Sequence, residues 1–192
     1  MLSREGSVTQ DRRALAHTPW RTLSSRPVYV NPWIRVREDI AEMPDGRRTL
    51  YGVIEAPPAI GVLPFVDDET VVLVGQYRYV ARGFHWEIPT GAMTPGERET
   101  DTAQRELAEE AGYRAGRLEK LCTFDTSKSV LDETAHLYLA TELTRVSHEP
   151  DPTEFIEVRA FPFADVLAMV LRSEIVDAMT VVAVLHAARR RP

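Results

Sequence analysis

The sequence predicts an α/β fold in which a mixed β-sheet carries helices on its faces and follows a small antiparallel sheet. Short β-branched segments alternate with turn residues along most of the chain, as in strands joined by tight turns. A short helix is predicted near the middle, and the C-terminal region has apolar residues spaced three and four apart, as in amphipathic helices. The 192 residues suffice for one substantial core with a small appendage.

The N-terminal part is predicted to consist of an extension and a small sheet. Residues 1–19 are polar and lack periodicity, so we expect a mobile extension there. They also lack the apolar stretch of a secretion signal, which makes the cytoplasm the default expectation. Residues 20–57 are predicted to form an antiparallel sheet with a turn at Pro44-Asp45-Gly46. Its strands are predicted at residues 28–30, 34–38 and 49–55.

The main domain is predicted to span residues 58–192 and to begin with two β-branched segments that flank Asp67-Asp68-Glu69. This pattern predicts a hairpin. Later segments predict further strands and two C-terminal helices. The predicted strands are residues 60–65, 70–74, 85–89, 136–140 and 155–160, and the predicted helices are 163–173 and 176–191.

The segment from residue 91 to residue 113 crowds carboxylates into a turn and one short helix. Glu106 and Glu110 are four positions apart, where like charges on a helix repel, and Glu109 lies beside them. A hard divalent cation such as Mg²⁺ or Mn²⁺ takes oxygen ligands and would offset this repulsion. A solvated acidic helix face is the alternative that the residues alone leave open. The segment also contains Glu97 and Glu99.

The central helix has predictable ends and a predictable buried face. Thr100 or Asp101 is expected to cap its N-terminus, and Gly112 is expected to end it in the left-handed conformation. Arg105 and Glu109 are spaced as a favourable i,i+4 pair. The buried stripe is predicted to consist of Ala103, Leu107 and Ala111.

The spacing in this segment resembles the Nudix box at every defined position. The matching residues are Gly91, Glu97, Arg105-Glu106-Leu107, Glu109-Glu110 and Gly112-Tyr113. The resemblance implies an α/β/α sandwich and a divalent-metal-dependent hydrolase of nucleoside diphosphates linked to another moiety. Such metals would bridge phosphate oxygens and lower the pKa of an attacking water.

The same resemblance assigns roles to individual box residues. In this family the helix glutamates bind the metals, which implies that Glu106, Glu109 and Glu110 are ligands, with the main-chain carbonyl of Thr90 as a further one. We expect Mg²⁺ or Mn²⁺, with more than one ion when substrate is bound. The residues expected to hold the loop and helix together are Gly91, Glu97, Arg105 and Gly112.

Segments around the box resemble the ADP-ribose and ADP-sugar pyrophosphatase branch of the family. This implies hydrolysis of ADP-ribose or an ADP-sugar to a nucleoside monophosphate and a sugar phosphate. It also implies a homodimer in which the N-terminal sheet reaches the partner's active site. Residues 126–130 depart from the branch pattern, which leaves the distal group of the substrate open. The segments that carry the likeness are residues 76–78, 86–91, 132–133, 154–158 and 174–178.

Two residues are candidates for substrate contacts on chemical grounds. Arg78 follows an apolar strand and is suited to clamp a phosphate bidentately, which we favour over a surface ion pair. Trp33 could stack on the nucleoside base, although packing in the small sheet or at a dimer contact is the favoured interpretation.

Three carboxylates are candidates for the general base. Glu154 ranks first because the resembling branch takes its base from a loop after the box, and the preceding residues are polar with two prolines. Glu133 ranks second, as a base or as a partner of a ribose hydroxyl. Glu109 ranks third, since some family members use a box glutamate.

Composition and charge remove several other functions. The net charge of −6 argues against a nucleic-acid backbone as the main partner. No apolar run reaches the about 20 residues of a membrane helix, and the single cysteine, Cys122, excludes an intrachain disulfide. The alternatives kept are a nucleoside triphosphate pyrophosphohydrolase, acting also on oxidised dNTPs, and a non-catalytic nucleotide-sensing module. The complete box argues against the sensor.

Overall fold

The computed structural model describes residues 15–147 and 155–190. These residues form two compact units. The first comprises the described residues up to Ala56 together with Ser127–Asp132, and the second comprises Pro57–Thr126 and the described residues from Glu133 onward. Within the described residues, no helix is both long enough and apolar enough to cross a membrane.

The first unit is a four-stranded sheet. Strands β1 (Arg21–Val30), β2 (Arg35–Glu42) and β3 (Arg48–Glu55) pair antiparallel in chain order. Gly46, with φ at 81°, supplies the left-handed residue of the turn between β2 and β3. Strand β9 (Leu131–Asp132) adds to β3 in parallel, a pairing that the sequence did not predict.

This small sheet buries one carboxylate and exposes several large apolar side chains. Asp39 is only 5% exposed and accepts a hydrogen bond from Arg37, whose guanidinium also lies 2.8 Å from Glu55. The exposed apolar side chains are Trp20, Val28, Tyr29, Val30, Trp33, Leu50 and Tyr51. The first unit thus presents an apolar surface to its surroundings.

The second unit contains two sheets. Its strands are β4 (Ala59–Pro64), β5 (Thr70–Arg78), β6 (Gly83–Glu87), β7 (Thr90–Ala92), β8 (Tyr113–Asp125), β10 (Thr134–Arg145) and β11 (Glu157–Pro162). One sheet has the order β7-β4-β10-β8 and the other β11-β5-β6. Strands β4 and β10 run parallel, whereas their other neighbours are antiparallel, so the sheet is mixed as predicted.

Helices cover both faces of these sheets. They are α1 (Glu99–Ala111), α2 (Phe163–Leu171) and α3 (Ala178–Arg189). Adjacent residues of β5 point to opposite faces: Leu73 packs in the core formed with α2 and α3, and Val72 packs in the core formed with α1. Since the strands are apolar on both faces, they lie between two helical layers, which confirms the predicted fold class.

The predicted hairpin between residues 60–65 and 70–74 is wrong. Strands β4 and β5 belong to different sheets and are linked by an isolated bridge between Phe65 and Val71. Asp67 shapes the connecting turn by accepting hydrogen bonds from the backbone N–H groups of Glu69 and Thr70. Strands buried on both faces are apolar throughout, so their sequence does not indicate which neighbour they pair with.

The two ends of α1 compare differently with the prediction. Gly112 ends the helix with φ at 71°, as expected. The cap position at the start is Arg98, not Thr100 or Asp101, and no side chain caps the helix there. The Asp101 carboxylate instead accepts hydrogen bonds from the Arg98 guanidinium at 2.7 and 2.8 Å, so it is engaged inside the first turn.

Candidate functional site

The last turns of α1 place two buried carboxylates against strand β7. Glu106 is 7% exposed and Glu110 is 4% exposed, because their four-residue spacing puts both on the face that packs against the sheet. Glu109 lies on the exposed side of the helix. Burying two carboxylates is costly unless charged or polar partners surround them, so the site is organised around their partners.

Strand β7 accommodates these carboxylates through a glycine and a backbone donor. A Cβ atom on Gly91 would lie 2.0 Å from the Glu106 carboxyl carbon, so only glycine leaves room for the side chain in this position. The backbone N–H of Thr90 donates to Glu110 Oε2 at 2.9 Å. The carboxylates of the helix therefore lie directly on the backbone of the strand that precedes the box loop.

Arg105 connects the helix to the loop before it. Its Nε donates to Glu97 Oε1 at 3.1 Å, and its Nη2 donates to the Ala92 carbonyl at 3.1 Å. Its Nη1 donates to Glu106 and to Glu109 Oε2, the latter at 3.1 Å. The hydrogen bonds that Arg105 donates to Glu97, and then the negative charge of Glu106, raise the pKa of Arg105. Hydrogen bonds from Arg105 and the Thr94 backbone lower the pKa of Glu97 to about 2.

The donor atoms of this site suit a hard divalent cation. Carboxylate and main-chain oxygens are the ligands that Mg²⁺ and Mn²⁺ prefer, and the space that Gly91 leaves open is filled by the Glu106 carboxylate. As placed, Glu106 and Glu109 converge on the Arg105 guanidinium. No group of three or more His, Cys, Asp or Glu side chains in the described part of the chain is arranged to hold a metal ion. The metal role of Glu106, Glu109, Glu110 and Thr90 stays a prediction.

Arg78 ends strand β5 and forms a forked ion pair with the buried Glu87 of β6. Its Nε lies 3.1 and 3.0 Å from the two Glu87 oxygens, and its Nη2 also donates to Glu87. The hydrogen bonds that Arg78 donates to Glu87, aided by the charges of Glu110 and Asp177, raise the pKa of Arg78. The guanidinium is thus held in place by Glu87, and within the described residues its Nη1 has no hydrogen-bond partner.

A cavity of about 390 Å³ opens beside this ion pair. Thr90 lines it and donates a backbone hydrogen bond to Glu110, so the cavity wall directly contacts a box carboxylate. Glu87 and Asp177 lie in segments that carry the branch likeness, residues 86–91 and 174–178, but the sequence analysis did not name them as site residues. The lining residues are Arg78, Val80, Ala81, His85, Glu87, Thr90, Val176, Asp177 and Ala178.

The other predicted site residues lie elsewhere. Trp33 is 75% exposed in the first unit. Glu133 directly precedes β10, and its carbonyl accepts a hydrogen bond from the Thr126 N–H at 3.2 Å. Glu154, the first choice for the base, lies outside the described residues.

Two family models match this chain. The model described as the NUDIX domain matches residues 55–179. The model described as the nucleoside diphosphate sugar hydrolase N-terminal domain matches residues 20–54. Together they cover both the small sheet and the unit that carries the box.

Individual relatives extend this likeness over most of the chain. An ADP-ribose pyrophosphatase of Bacillus subtilis is 33% identical over 168 residues, which cover 86% of this chain and 91% of the relative. An ADP-ribose pyrophosphatase of Mycobacterium tuberculosis is 31% identical over 174 residues, which cover 89% and 84%. A crystal structure of an ADP compounds hydrolase superposes with a TM-score of 0.81 at 23% identity, covering 90% of this chain and 94% of that one, and supports the fold.

Proposed function

This chain belongs to the Nudix family of hydrolases, and we propose that it cleaves the diphosphate bond of ADP-ribose or a related ADP-sugar. The products would be a nucleoside monophosphate and a sugar phosphate. The observation that carries the proposal is the pair of buried carboxylates, Glu106 and Glu110, seated on β7 beside a cavity lined by Arg78. The names of the two relatives and the match to the sugar hydrolase N-terminal domain support the substrate class.

The proposed reaction uses Mg²⁺ or Mn²⁺, with more than one ion when substrate is bound. Glu106, Glu109 and Glu110 would hold the cation together with the main-chain carbonyl of Thr90. When bound, such a cation neutralises charge on phosphate oxygens and lowers the pKa of a water ligand. Because Arg105 bonds to both Glu106 and Glu109, we expect its guanidinium to release at least one of them on cation binding.

Residues of the chain itself would orient the substrate and move the proton. Arg78 would bind a phosphate oxygen through the guanidinium edge that Glu87 does not occupy, while Glu87 holds the other edge in place. Glu154 is the proposed base that takes the proton of the attacking water. Glu133 and Glu109 are the alternatives for this role.

The proposal includes a homodimer formed through the N-terminal sheet. Its support is the set of large apolar side chains that this sheet exposes, since exposed apolar side chains are suited to an interface. Trp33 belongs to this set and could contact the partner or the base of the substrate. A cytoplasmic location also remains part of the proposal.

The decisive experiment is a substrate panel with product identification. The purified protein is incubated with Mg²⁺ and ADP-ribose, ADP-sugars or dNTPs, and products are separated by chromatography. We expect AMP and ribose 5-phosphate from ADP-ribose, and no product from the Glu110→Gln variant, which controls for contaminating hydrolases. Faster release of pyrophosphate from dNTPs than of AMP from ADP-ribose would favour the triphosphate alternative. Tight nucleotide binding without any product would favour the sensor.

A further inference from the structure

We propose that the cavity beside the box is a subsite for sugar hydroxyls of the substrate, and that Asp177 is the residue that recognises them. This inference rests on the proposed function, because it concerns the sugar that adjoins the cleaved diphosphate. The cavity, at about 390 Å³, lies in the size range of small-molecule sites. It is lined at one point by Thr90, which adjoins the box, and at another by Asp177.

A continuous chain of hydrogen bonds ties Asp177 to a box carboxylate. The Thr90 N–H donates to Glu110 Oε2 at 2.9 Å, and the Thr90 hydroxyl donates to the Ile88 carbonyl at 2.9 Å. The Ile88 N–H donates to Thr180 Oγ1 at 3.0 Å, and that hydroxyl donates to Asp177 Oδ2 at 2.6 Å. A carboxylate of the cavity is therefore held in fixed register with a carboxylate of the box, as a preorganised site requires.

Only one oxygen of Asp177 is used by the fold. Oδ2 accepts both the Thr180 N–H, at 2.8 Å, and the Thr180 hydroxyl, and so caps α3. Thr180 is fully buried, which fixes the orientation of the Asp177 side chain. Oδ1 has no hydrogen-bond partner among the described residues, although Asp177 lines the cavity. Capping explains Oδ2 and leaves Oδ1 to accept hydrogen bonds from a ligand.

The charges of the cavity determine which chemical group would lie next to Asp177. A carboxylate repels a phosphate but accepts hydrogen bonds from hydroxyl groups, and Glu87 adds a second negative charge nearby. Arg78 is the cationic group of the lining, so a phosphate would lie against it and the attached sugar would extend toward Asp177. The remaining wall consists of His85 and four apolar residues, which suit the carbon face of a sugar: Val80, Ala81, Val176 and Ala178.

The test uses Asp177→Asn, which changes Oδ1 and keeps the cap. Asparagine is as good an N-cap as aspartate, so its carbonyl stays on the Thr180 N–H and its NH₂ replaces Oδ1 in the cavity. Glu174→Gln is the matched control, because it also removes one negative charge. Glu174 lies three positions before Asp177, in an exposed ion pair with Arg172, and does not line the cavity. Thermal unfolding of both variants checks that the fold is kept.

Three substrates distinguish the two sugars that could occupy the subsite. They are ADP-ribose, a 2′,3′-dideoxyadenosine analogue of it, and an alkyl ester of ADP that lacks the distal sugar. The readouts are kcat/KM with Mg²⁺ and the equilibrium dissociation constant measured by calorimetry in the presence of a chelator. For Asp177→Asn acting on ADP-ribose, we expect kcat/KM to fall, and the dissociation constant to rise, by roughly 10- to 100-fold. The loss should vanish for the one analogue that lacks the recognised hydroxyls, and that analogue identifies the sugar.

Each other outcome overturns the inference. If Asp177→Asn lowers kcat/KM and affinity equally for all three substrates, or for none of them, Asp177 does not recognise a sugar hydroxyl. A Glu174→Gln protein with the same loss would assign the effect to net charge. If the wild-type protein hydrolyses ADP-ribose and the Asp177 variant is unaffected, only the subsite fails. If the wild type neither binds nor hydrolyses ADP-ribose, the proposed function fails and the subsite falls with it.

Discussion

At the scale of single residues, Arg105 decides how the box is arranged. One guanidinium bonds to Glu97, to the Ala92 carbonyl and to two helix carboxylates, so it balances part of the negative charge that the sequence concentrates here. It also joins the loop before α1 to the helix. A residue with this many partners has a structural role whatever cation the carboxylates bind. Hydrolysis would depend on the position of the Glu106 carboxylate, which Arg105 contacts.

Gly91→Ala is expected to abolish most of the activity with little loss of stability. The new Cβ would lie 2.0 Å from the Glu106 carboxyl carbon, and the movable end of that side chain would swing away from its position. A displacement of about 1 Å in a catalytic group can lower turnover roughly 100-fold. Steady-state hydrolysis and the thermal unfolding midpoint are the two measurements.

Gly75→Ala is the matched control for this substitution. Its Cβ would lie 2.5 Å from the Phe84 ring and 2.9 Å from the Trp86 ring, inside packed aromatic surface away from the box carboxylates. Overpacking of this kind costs about 1 to 3 kcal/mol of unfolding free energy. We therefore expect the reverse pattern, with lowered stability and retained turnover. Equal effects of the two substitutions on activity would contradict the role of Gly91.

The ion pair of Glu97 with Arg105 predicts a defined pH dependence of stability. The folded-state pKa of Glu97 is lowered from 4.5 to about 2, so the carboxylate stabilises the fold above pH 4.5 and loses this contribution as the pH falls from 4.5 to 2. Unfolding midpoints of wild type and Glu97→Gln should differ most above pH 4.5 and converge near pH 2. Parallel pH profiles for the two proteins would show that the pair does not stabilise the fold.

At the scale of elements, the sequence predicted elements better than their pairing. The sequence predicted the buried helix face with Ala103 and Leu107, because apolar residues recur there at helical spacing. It also predicted the helix end at Gly112, because glycine readily adopts the left-handed conformation that ends a helix. The long strand β8, residues 113–125, was missed because it is largely exposed and rich in charged residues. The partners of β4 were missed because an apolar strand carries no mark of its neighbours.

The site shows the same division between local and long-range information. The box contacts of Arg105 follow from helical spacing and were foreseen in part. Glu87 and Asp177 lie in segments that carry the branch likeness but were not named as site residues, because their roles depend on the pairing of β5 with β6 and on the hydrogen bond between Ile88 and Thr180, 92 positions apart. A cavity that depends on such contacts cannot be predicted from spacing alone.

The start of α1 offers a stabilising substitution. Arg98 occupies the cap position with extended backbone angles, and its side chain makes no capping hydrogen bond. Its ion pair with Asp101 is exposed and contributes little. Arg98→Ser should therefore raise the unfolding free energy by about 1 kcal/mol, measured by urea denaturation. Arg98→Ala is the control, since it removes the ion pair without adding a cap, and an equal effect of both would exclude capping as the cause.

At the scale of the whole molecule, the first unit poses the question of what covers its apolar side chains. The sheet order places β1 at an edge, where unpaired backbone groups are available to another strand. Val28 and Val30 in this strand are 46% and 62% exposed. The exposed apolar residues at the end of this edge strand, Val28 to Val30, are unfavourable in an isolated chain and are suited to association with a second copy.

We accordingly expect a dimer in solution that a charge on β1 disrupts. Analytical ultracentrifugation of the wild type should give about twice the chain mass of 21.7 kDa. Val30→Lys places a charge in the proposed contact and should shift the protein toward the monomer, since a lysine on an edge strand opposes pairing. Leu171→Lys is the control, because Leu171 is similarly exposed, at 70%, but ends α2 in the other unit. A wild type that sediments as a monomer, or a Leu171→Lys variant that dissociates equally, would contradict association through the N-terminal sheet.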